Sequence, residues 1–308
     1  MMRNKDLKAV LQNCGWPVSG IKSTLIERIN SQLYQSRLTV LRCSKIGGLQ
    51  QSKKQPKEHR ILSLDLGIKN LAFCLLKISR EQLTTDSKPN PEILAWKRFS
   101  LLDTSNGTVL DKQPEFQQNI SFTEIDFSAH SLAPIATSLA RQLVAVHKPT
   151  MIAIEKQRYR TMGSAAVQEW TLRVNTLEAM IHTALRMLLE EGVWKQGSTC
   201  SICPQRMTRF WLDRNNLSRK SRSGKASKLL KINLVRTLLQ NEQTVTYDEK
   251  NDSVTEAVSL FTETGGRSKP DTNEKIDDLA DCLLQGVGLI EWEKNRQILL
   301  EEWGDAKK

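Results

Sequence analysis

An apolar run broken by a single aspartate, Ile61-Leu62-Ser63-Leu64-Asp65-Leu66-Gly67-Ile68-Lys69-Asn70, opens the most clearly patterned part of the chain. A second apolar segment, 70–78, follows it across Gly67-Ile68-Lys69, and the pair predicts a β-hairpin. Asp65 then lies near the end of the first strand. Burial of a carboxylate there is unfavourable unless a cation or another partner meets it.

The segments after this hairpin alternate between strand and helix, which is typical of an α/β fold. The spacing of apolar residues indicates which segments are helical and which are extended. The predicted elements are a strand at 93–99, a helix at 132–146, a strand at 151–154, a helix at 167–188, a strand at 197–202 and helices at 229–239 and 274–293.

Acidic residues mark two further positions. Glu155 ends the strand 151–154, as Asp65 ends the first strand. Asp277, Asp278 and Asp281 share one side of the last helix, opposite its apolar stripe. Each acid alone has a structural explanation: a strand-end acid can pair with a lysine such as Lys69 or Lys156, and acids in the first turns of a helix complement its dipole.

Taken together, the three acidic segments predict a metal site. Carboxylates at the ends of neighbouring strands can converge on one cation, and a pair on a late helix can complete the set. An all-oxygen ligand set suits Mg²⁺ or Mn²⁺ and not zinc. Such sets commonly hold two cations about 3.5–4 Å apart for phosphoryl transfer.

Composition restricts the class of protein. The 308 residues suffice for roughly two domains, no apolar stretch is long enough for a membrane helix, and six scattered cysteines favour a reducing compartment. The net charge is +11, and the first sixty residues hold twelve basic and three acidic residues. This imbalance predicts a polyanionic partner, nucleic acid first and an anionic membrane second.

The basic N-terminal part has its own pattern. Apolar spacing predicts two short helices, 6–12 and 21–33, around the turn Gly15-Trp16-Pro17. The pattern resembles the SAP motif, a helical DNA-binding module, which would involve Lys22. The alternative is an ordinary helical hairpin that docks on the main domain or on another copy of the chain.

Three motifs resemble those of the fungal mitochondrial Holliday junction resolvases, the cruciform-cutting endonucleases similar to bacterial RuvC. They are Leu64–Asn70, Ile154–Thr161 and Lys275–Asp281. The SAP-like hairpin also fits that family's layout. The polar, weakly periodic stretch after this hairpin predicts a linker, so we expect a SAP-like module at 1–36, a linker at 37–59 and a ribonuclease-H-like catalytic domain at 60–308.

The resemblance further implies what the protein does. We expect a mixed sheet flanked by helices, and a homodimer that nicks four-way DNA junctions in mitochondria with Mg²⁺ or Mn²⁺, two ions per site, and no small-molecule cofactor or membrane. Asp65 and Glu155 correspond to the first two metal ligands. Asp278 and Asp281 fit the spacing of the helical pair, with Asp277 as a rival to Asp278. The mitochondrial assignment rests on resemblance, since no clear transit peptide opens the chain.

Basic residues near these motifs are candidates for DNA contacts. Such contacts position the nucleic acid without reading its sequence, and Tyr159 is a candidate for stacking on an unpaired base. A second basic stretch at 206–231, interleaved with Phe210 and Trp211, is another candidate surface. The candidate DNA-binding residues are Lys69, Lys156, Arg158, Tyr159, Arg160, Lys22, Arg209 and Lys225.

Other functions remain open at this level. A ribonuclease H or an actin-like ATPase could carry an aspartate and a glycine after a strand, although no second glycine-rich phosphate turn favours the ATPase. A non-catalytic junction-binding or nucleoid protein would use the basic surfaces and keep its acids for structure.

Overall fold

A six-stranded mixed sheet forms the centre of the computed structural model. The described residues are 2–44, 48–83, 88–101, 127–158, 168–215, 224–241, 243–262 and 270–305, without the side chains of 224–225, 270–275 and 303–305. The strands are β1 (Leu41–Cys43), β2 (Leu49–Gln51), β3 (Glu58–Asp65), β4 (Leu71–Ser79), β5 (Glu92–Phe99), β6 (Met151–Glu155), β7 (Thr199–Ile202) and β8 (Thr246–Tyr247). The strand order in the large sheet is β7-β6-β3-β4-β5-β8, and a separate two-stranded sheet pairs β1 with β2.

Helices cover both faces of the large sheet, which confirms the predicted mixed sheet flanked by helices. The helices are α1 (Asn4–Asn13), α2 (Lys22–Gln32), α3 (Ala129–His147), α4 (Glu169–Glu190), α5 (Pro204–Arg214), α6 (Gly224–Gln240), α7 (Asp252–Thr262) and α8 (Pro270–Asp305), with a 3₁₀ turn at Glu81–Leu83. Within the described ranges, no helix combines the length and apolar character needed to cross a membrane.

Strand β3 lies inside the sheet and is buried on both faces. It pairs antiparallel with β4 and parallel with β6. Leu62 and Leu64 belong to the core under α3 and α4, whereas Ile61 belongs to the core under α5 to α8. A near-continuous apolar run is expected for a strand covered on both sides, and this burial places the end of β3 in the interior.

Helices α1 and α2 pack against the end of α8. Leu7, Leu11 and Leu25 form a small core with Leu299 of α8. Gly15 has a φ of +65°, and a Cβ at this position would collide with the Trp292 ring. Glycine suits this turn because it adopts a positive φ without strain and lets α8 approach the backbone closely. The predicted helical hairpin is therefore confirmed and contacts the main domain, while its DNA-binding role stays a prediction.

The segment predicted as a linker, 37–59, is partly folded. It contains the β1–β2 hairpin and the first residues of β3, and Leu38 and Val40 in it are buried. Leu41 also forms a bridge with Gly197, next to β7. The sequence lacks periodicity here because only a few residues of each short strand pack inward. The division into 1–36, 37–59 and 60–308 stays a prediction.

The C-terminal part contains more helix than the apolar pattern predicted. The basic stretch 206–231 includes all but the start of α5 and the first half of α6, α7 lies in a region without a prediction, and α8 extends beyond 274–293 at both ends. Phe210 and Trp211, expected on a DNA surface, are buried against α8 and Trp292. That expectation was wrong because α5 is amphipathic and turns its aromatic side chains into the core.

Candidate active site

Asp65 and Glu155 end two adjacent parallel strands. Leu64 of β3 is paired with Ile154 of β6, so Asp65 and Glu155 occupy the next position in the same register. Both carboxylates emerge at one edge of the sheet. Parallel pairing therefore brings together two acids that are ninety positions apart in the sequence.

Helix α8 brings two more carboxylates toward this edge. Lys231 of α6 donates from Nζ to Oδ2 of Asp281 at 2.6 Å, and Arg98 of β5 donates from Nε to Oδ2 of Asp278 at 2.8 Å. Arg98 also donates from Nη2 to Oδ1 of Asn70 at 2.6 Å. Lys231 and Arg98 are therefore the cations nearest these acids, and sequence reasoning assigned neither to the site.

The pKa values indicate that the acids act on one another. Burial raises the pKa of Asp65, and the charges of Glu155, Asp281 and Asp278 raise it further. Burial and Asp281 raise the pKa of Glu155 to about 7, although Lys231 and Arg158 oppose the shift. These acids therefore share one electrostatic environment in which negative charge is poorly compensated.

The two helical acids respond in the same direction. Burial raises the pKa of Asp281 to about 6 despite the adjacent Lys231. Burial also raises the pKa of Asp278, against the hydrogen bond from Arg98. For Lys231, burial and the nearby charges act in opposite directions. Burial lowers its pKa, but Asp281 and the neighbouring acids raise it by more, so the net pKa is raised. The lysine therefore stays charged beside the acids.

Asp277 faces a different partner. Its Oδ2 lies 3.2 Å from Nζ of Lys228, and its Oδ1 is buried with no hydrogen-bond partner among the described residues. Asp277 raises the pKa of Asp281 more than Asp278 does, whereas the charges that raise the pKa of Asp65 include Asp278 and not Asp277. The choice of Asp278 as the partner of Asp281, with Asp277 as its rival, remains a prediction.

The donor chemistry of the site suits a hard divalent cation, but the ligands do not yet converge. All four candidate donors are carboxylates, and their mutually raised pKa values mean that a cation would relieve repulsion. Among the residues that the structure describes, however, no group of three or more His, Cys, Asp or Glu side chains lies close enough to hold one metal ion. Lys231 and Arg98 each contact one oxygen of Asp281 and Asp278, and the acidic side chains would have to approach one another to share an ion.

Gln285 fixes α8 to the strand ends, and no local sequence pattern predicts this role. Its Nε2 donates to Oγ of Ser63 and to the carbonyl oxygens of Leu64 and Ala153, at 2.9 to 3.2 Å. Gln285 lies one helical turn after Asp281 and is 3% exposed. It fixes the position of the α8 acids relative to Asp65 and Glu155.

The predicted DNA-binding residues are placed unevenly. Lys69, Lys156 and Arg158 are exposed and follow the ends of β3 and β6, beside the acids, and Arg209 is exposed on α5. Lys22 is half-buried at the start of α2, away from these strand ends in the fold. Tyr159, Arg160 and the side chain of Lys225 lie outside the described residues.

The ribonuclease-H-like fold has this arrangement, in which central parallel strands end in paired carboxylates that acids of a C-terminal helix approach. The crystal structure of the yeast mitochondrial Holliday junction resolvase Ydc2 has this fold: it matches with a TM-score of 0.63 and 24% identity, over 98% of this chain and 99% of that one. The predicted fold class is thereby confirmed.

Comparison with protein families identifies the group to which the chain belongs. Residues 61–299 match the family described as mitochondrial resolvase Ydc2 / RNA splicing MRS1, and the chain is a member of this family. It is 26% identical to "Cruciform cutting endonuclease 1, mitochondrial" of Saccharomyces cerevisiae, over 91% of this chain and 82% of that protein. It is 28% identical to the protein of the same name from Schizosaccharomyces pombe, over 76% of this chain and 78% of that protein.

Proposed function

We propose that this protein is a mitochondrial endonuclease that resolves four-way DNA junctions by paired, symmetric nicks. One observation carries the proposal: Asp65 and Glu155 end adjacent parallel strands, and Asp281 of α8 lies near enough to raise the pKa of both. Membership of a family that includes mitochondrial resolvases supports it, as do the names of the two relatives.

We further propose that Mg²⁺ is the physiological metal, with Mn²⁺ as a substitute, and that two ions bind per site. Asp65, Glu155, Asp278 and Asp281 would hold them. A divalent cation bound there supplies Lewis-acid stabilisation of the charge that develops on the scissile phosphate. Without it, Lys231 partly neutralises Asp281 and Arg98 partly neutralises Asp278.

The chain's other residues orient the substrate. Lys156 and Arg158 follow Glu155 and are exposed, so they can contact phosphates on either side of the scissile bond. Gln285 keeps the α8 acids in place while the strand is bound. We propose a homodimer, because a two-fold assembly presents one active site to each of two opposed strands of a near-symmetric junction.

A second function is a non-catalytic role in RNA or DNA binding. The family description includes an RNA splicing protein, so membership alone does not establish cleavage. The uncompensated acids favour the nuclease, because buried carboxylates that serve structure alone are normally paired. A ribonuclease H activity on the same fold is tested by the same experiment.

The experiment offers the purified full chain an immobile four-way DNA junction, a matched linear duplex and an RNA–DNA hybrid, in Mg²⁺ or EDTA. Wild type is compared with Asp65→Asn and with Asp252→Asn, which alters an exposed aspartate at the start of α7. We expect symmetric, Mg²⁺-dependent nicks on the junction alone, lost in Asp65→Asn and kept in Asp252→Asn. Junction binding without cutting would favour the non-catalytic role, and hybrid cleavage the ribonuclease.

A further inference from the structure

A cavity of about 470 Å³ opens beside the acid site, between α5, α6 and α8. Glu155 and Asp281 form part of its wall, so a phosphate held at the acids would lie at its mouth. Its volume falls within the range of about 300–1,000 Å³ usual for sites that bind small organic groups. Nothing in the roles assigned to the acids requires a space of this kind.

The buried side chains that line the cavity are mostly apolar. Met207 and Trp211 of α5, Leu234 of α6 and Leu284 of α8 contribute to its wall. Nε1 of Trp211 donates to the carbonyl oxygen of Leu284 at 3.0 Å, which fixes the indole ring against α8. A metal ion or a phosphate alone gains nothing from such walls, whereas a flat apolar group does.

The mouth of the cavity is polar and basic. Thr208 and Ser227 are half-buried hydroxyl residues on opposite helices, and Arg158, Arg209 and Lys231 add positive charge. Apolar walls with hydroxyls and cations at the opening match a nucleotide: the base enters, its polar edge meets a hydroxyl, and its phosphate stays outside.

We propose that this cavity receives one unstacked nucleobase of the strand that is cut, from a nucleotide next to the scissile phosphate. The inference rests on the proposed junction cleavage and extends it to how the strand is positioned. A base at the point of strand exchange lacks a stacking neighbour on one side, so extruding it costs less than extruding a base within a duplex. The captured base then fixes which phosphate lies at Asp65 and Glu155.

The test fills the cavity and then removes the base. Ser227→Trp places an indole in the mouth, and Leu229→Trp is the matched control, since Leu229 lies on the same helix, is 56% exposed and does not line the cavity. The substrates are an intact junction and two junctions with a single abasic nucleotide, 5′ or 3′ of the scissile phosphate. Single-turnover cleavage rates in Mg²⁺ and junction affinity in EDTA are measured.

We expect Ser227→Trp to cut the intact junction about 5- to 150-fold more slowly than wild type, the range that corresponds to loss of one base-stacking contact. Leu229→Trp should match wild type. On one of the two abasic junctions, wild type and Ser227→Trp should cut at the same rate, because no base then needs the cavity. Thr208→Trp fills the cavity from α5 and should show the same rates as Ser227→Trp. It replaces Ser227→Trp in the test if that variant does not fold.

Two results would overturn the inference while the proposed function stands. One is an equal rate for wild type and both filled variants on the intact junction. The other is a slow rate for the filled variants that persists on both abasic junctions. If wild type leaves the intact junction uncut, the proposed function fails and this inference with it.

Discussion

Helix α8 carries half-buried acids in its first half and buried acids in its second half, and the two groups have different surroundings. In the second half, Glu291 receives two hydrogen-bonding contacts from Arg214, at 3.0 and 2.8 Å, and Glu293 pairs with Arg296 at 2.7 Å. Each of these acids has its own cation. In the first half, Asp278 and Asp281 also pair with Arg98 and Lys231, but they lie beside Asp65 and Glu155, which have no ion pair among the described residues.

The difference separates structural acids from functional ones. Buried carboxylates are expensive to desolvate, so a purely structural pair is neutralised within the chain. The acids near Asp65 leave a surplus of negative charge whose cost is visible in raised pKa values. Negative charge that folding does not neutralise is available to bind a ligand. Variants of the two groups of acids test this distinction.

The largest expected effect is on cleavage. Glu155→Gln removes one of the surplus charges, so we expect the single-turnover rate on a four-way junction to fall by about 10³-fold, at the upper end of the loss seen for one preorganised catalytic group. The same variant should unfold at equal or higher urea concentration, because it relieves repulsion. Rates and urea midpoints are measured side by side.

Glu291→Gln provides the opposite case within the same experiment. It leaves Arg214 without its partner, so it should lower the urea midpoint. The cleavage rate should stay within about twofold of wild type, well below the tenfold change that about 1.4 kcal/mol of activation free energy would cause. If Glu155→Gln were the destabilising variant and Glu291→Gln the inactive one, the proposed separation would be wrong.

The next effect is on stability. Arg296 is 6% exposed and donates both to Glu293 and to the carbonyl oxygen of Leu33 at the end of α2. Arg296→Met keeps the bulk but leaves Glu293 without its strongest partner, which we expect to lower the free energy of unfolding by about 3–5 kcal/mol. Arg186→Met breaks an exposed pair with Glu190 and should cost at most about 1 kcal/mol.

Chemical denaturation of both variants measures this contrast. Because Arg296 holds the end of α2, the variant should also release α1 and α2 to proteases before the rest of the chain. Equal losses for Arg296→Met and Arg186→Met would contradict the view that the second half of α8 uses its charges for packing.

The acids were predictable from the sequence, but their partners were not. Asp65 and Glu155 end apolar runs, and such runs predict strands and their edges directly. Arg98 and Lys231 lie 180 and 50 residues from the aspartates that they contact. No local pattern records such a contact, because it depends on which strand and which helix the fold places beside α8.

The dependence on distant contacts also explains where the predicted fold was wrong. The central sheet has long apolar strands, and these were predicted within a few residues. The sequence predicts a basic surface at helix α5 because this helix contributes three arginines to the basic stretch 206–231. Its buried side, Met207, Phe210 and Trp211, is recognisable only once α8 is known to lie against it.

The smallest effect is on the pH dependence of stability. Glu155 has a pKa of about 7 in the fold against an ordinary value of 4.5, so the folded chain binds its proton more tightly. The raised pKa of this carboxyl therefore leaves the free energy of unfolding unchanged below about pH 4.5. Above about pH 7 it lowers the free energy of unfolding by its full amount. The loss between these limits is up to about 3 kcal/mol at 1.36 kcal/mol per pKa unit.

A half-buried histidine gives the free energy of unfolding the opposite dependence on pH. The effect of Glu155 is therefore measured as the difference between Glu155→Gln and wild type. Burial lowers the pKa of His147 to about 4, which makes the folded state more stable as the pH rises toward 6.5. Urea unfolding in EDTA at pH 5, 6, 7 and 8 should show that the advantage of Glu155→Gln over wild type grows with pH, because His147 is common to both proteins. Added Mg²⁺ should reduce this advantage at pH 8 by stabilising wild type, since a cation that binds the surplus acids removes their repulsion. An advantage independent of pH would mean that Glu155 is compensated in the fold like Glu291.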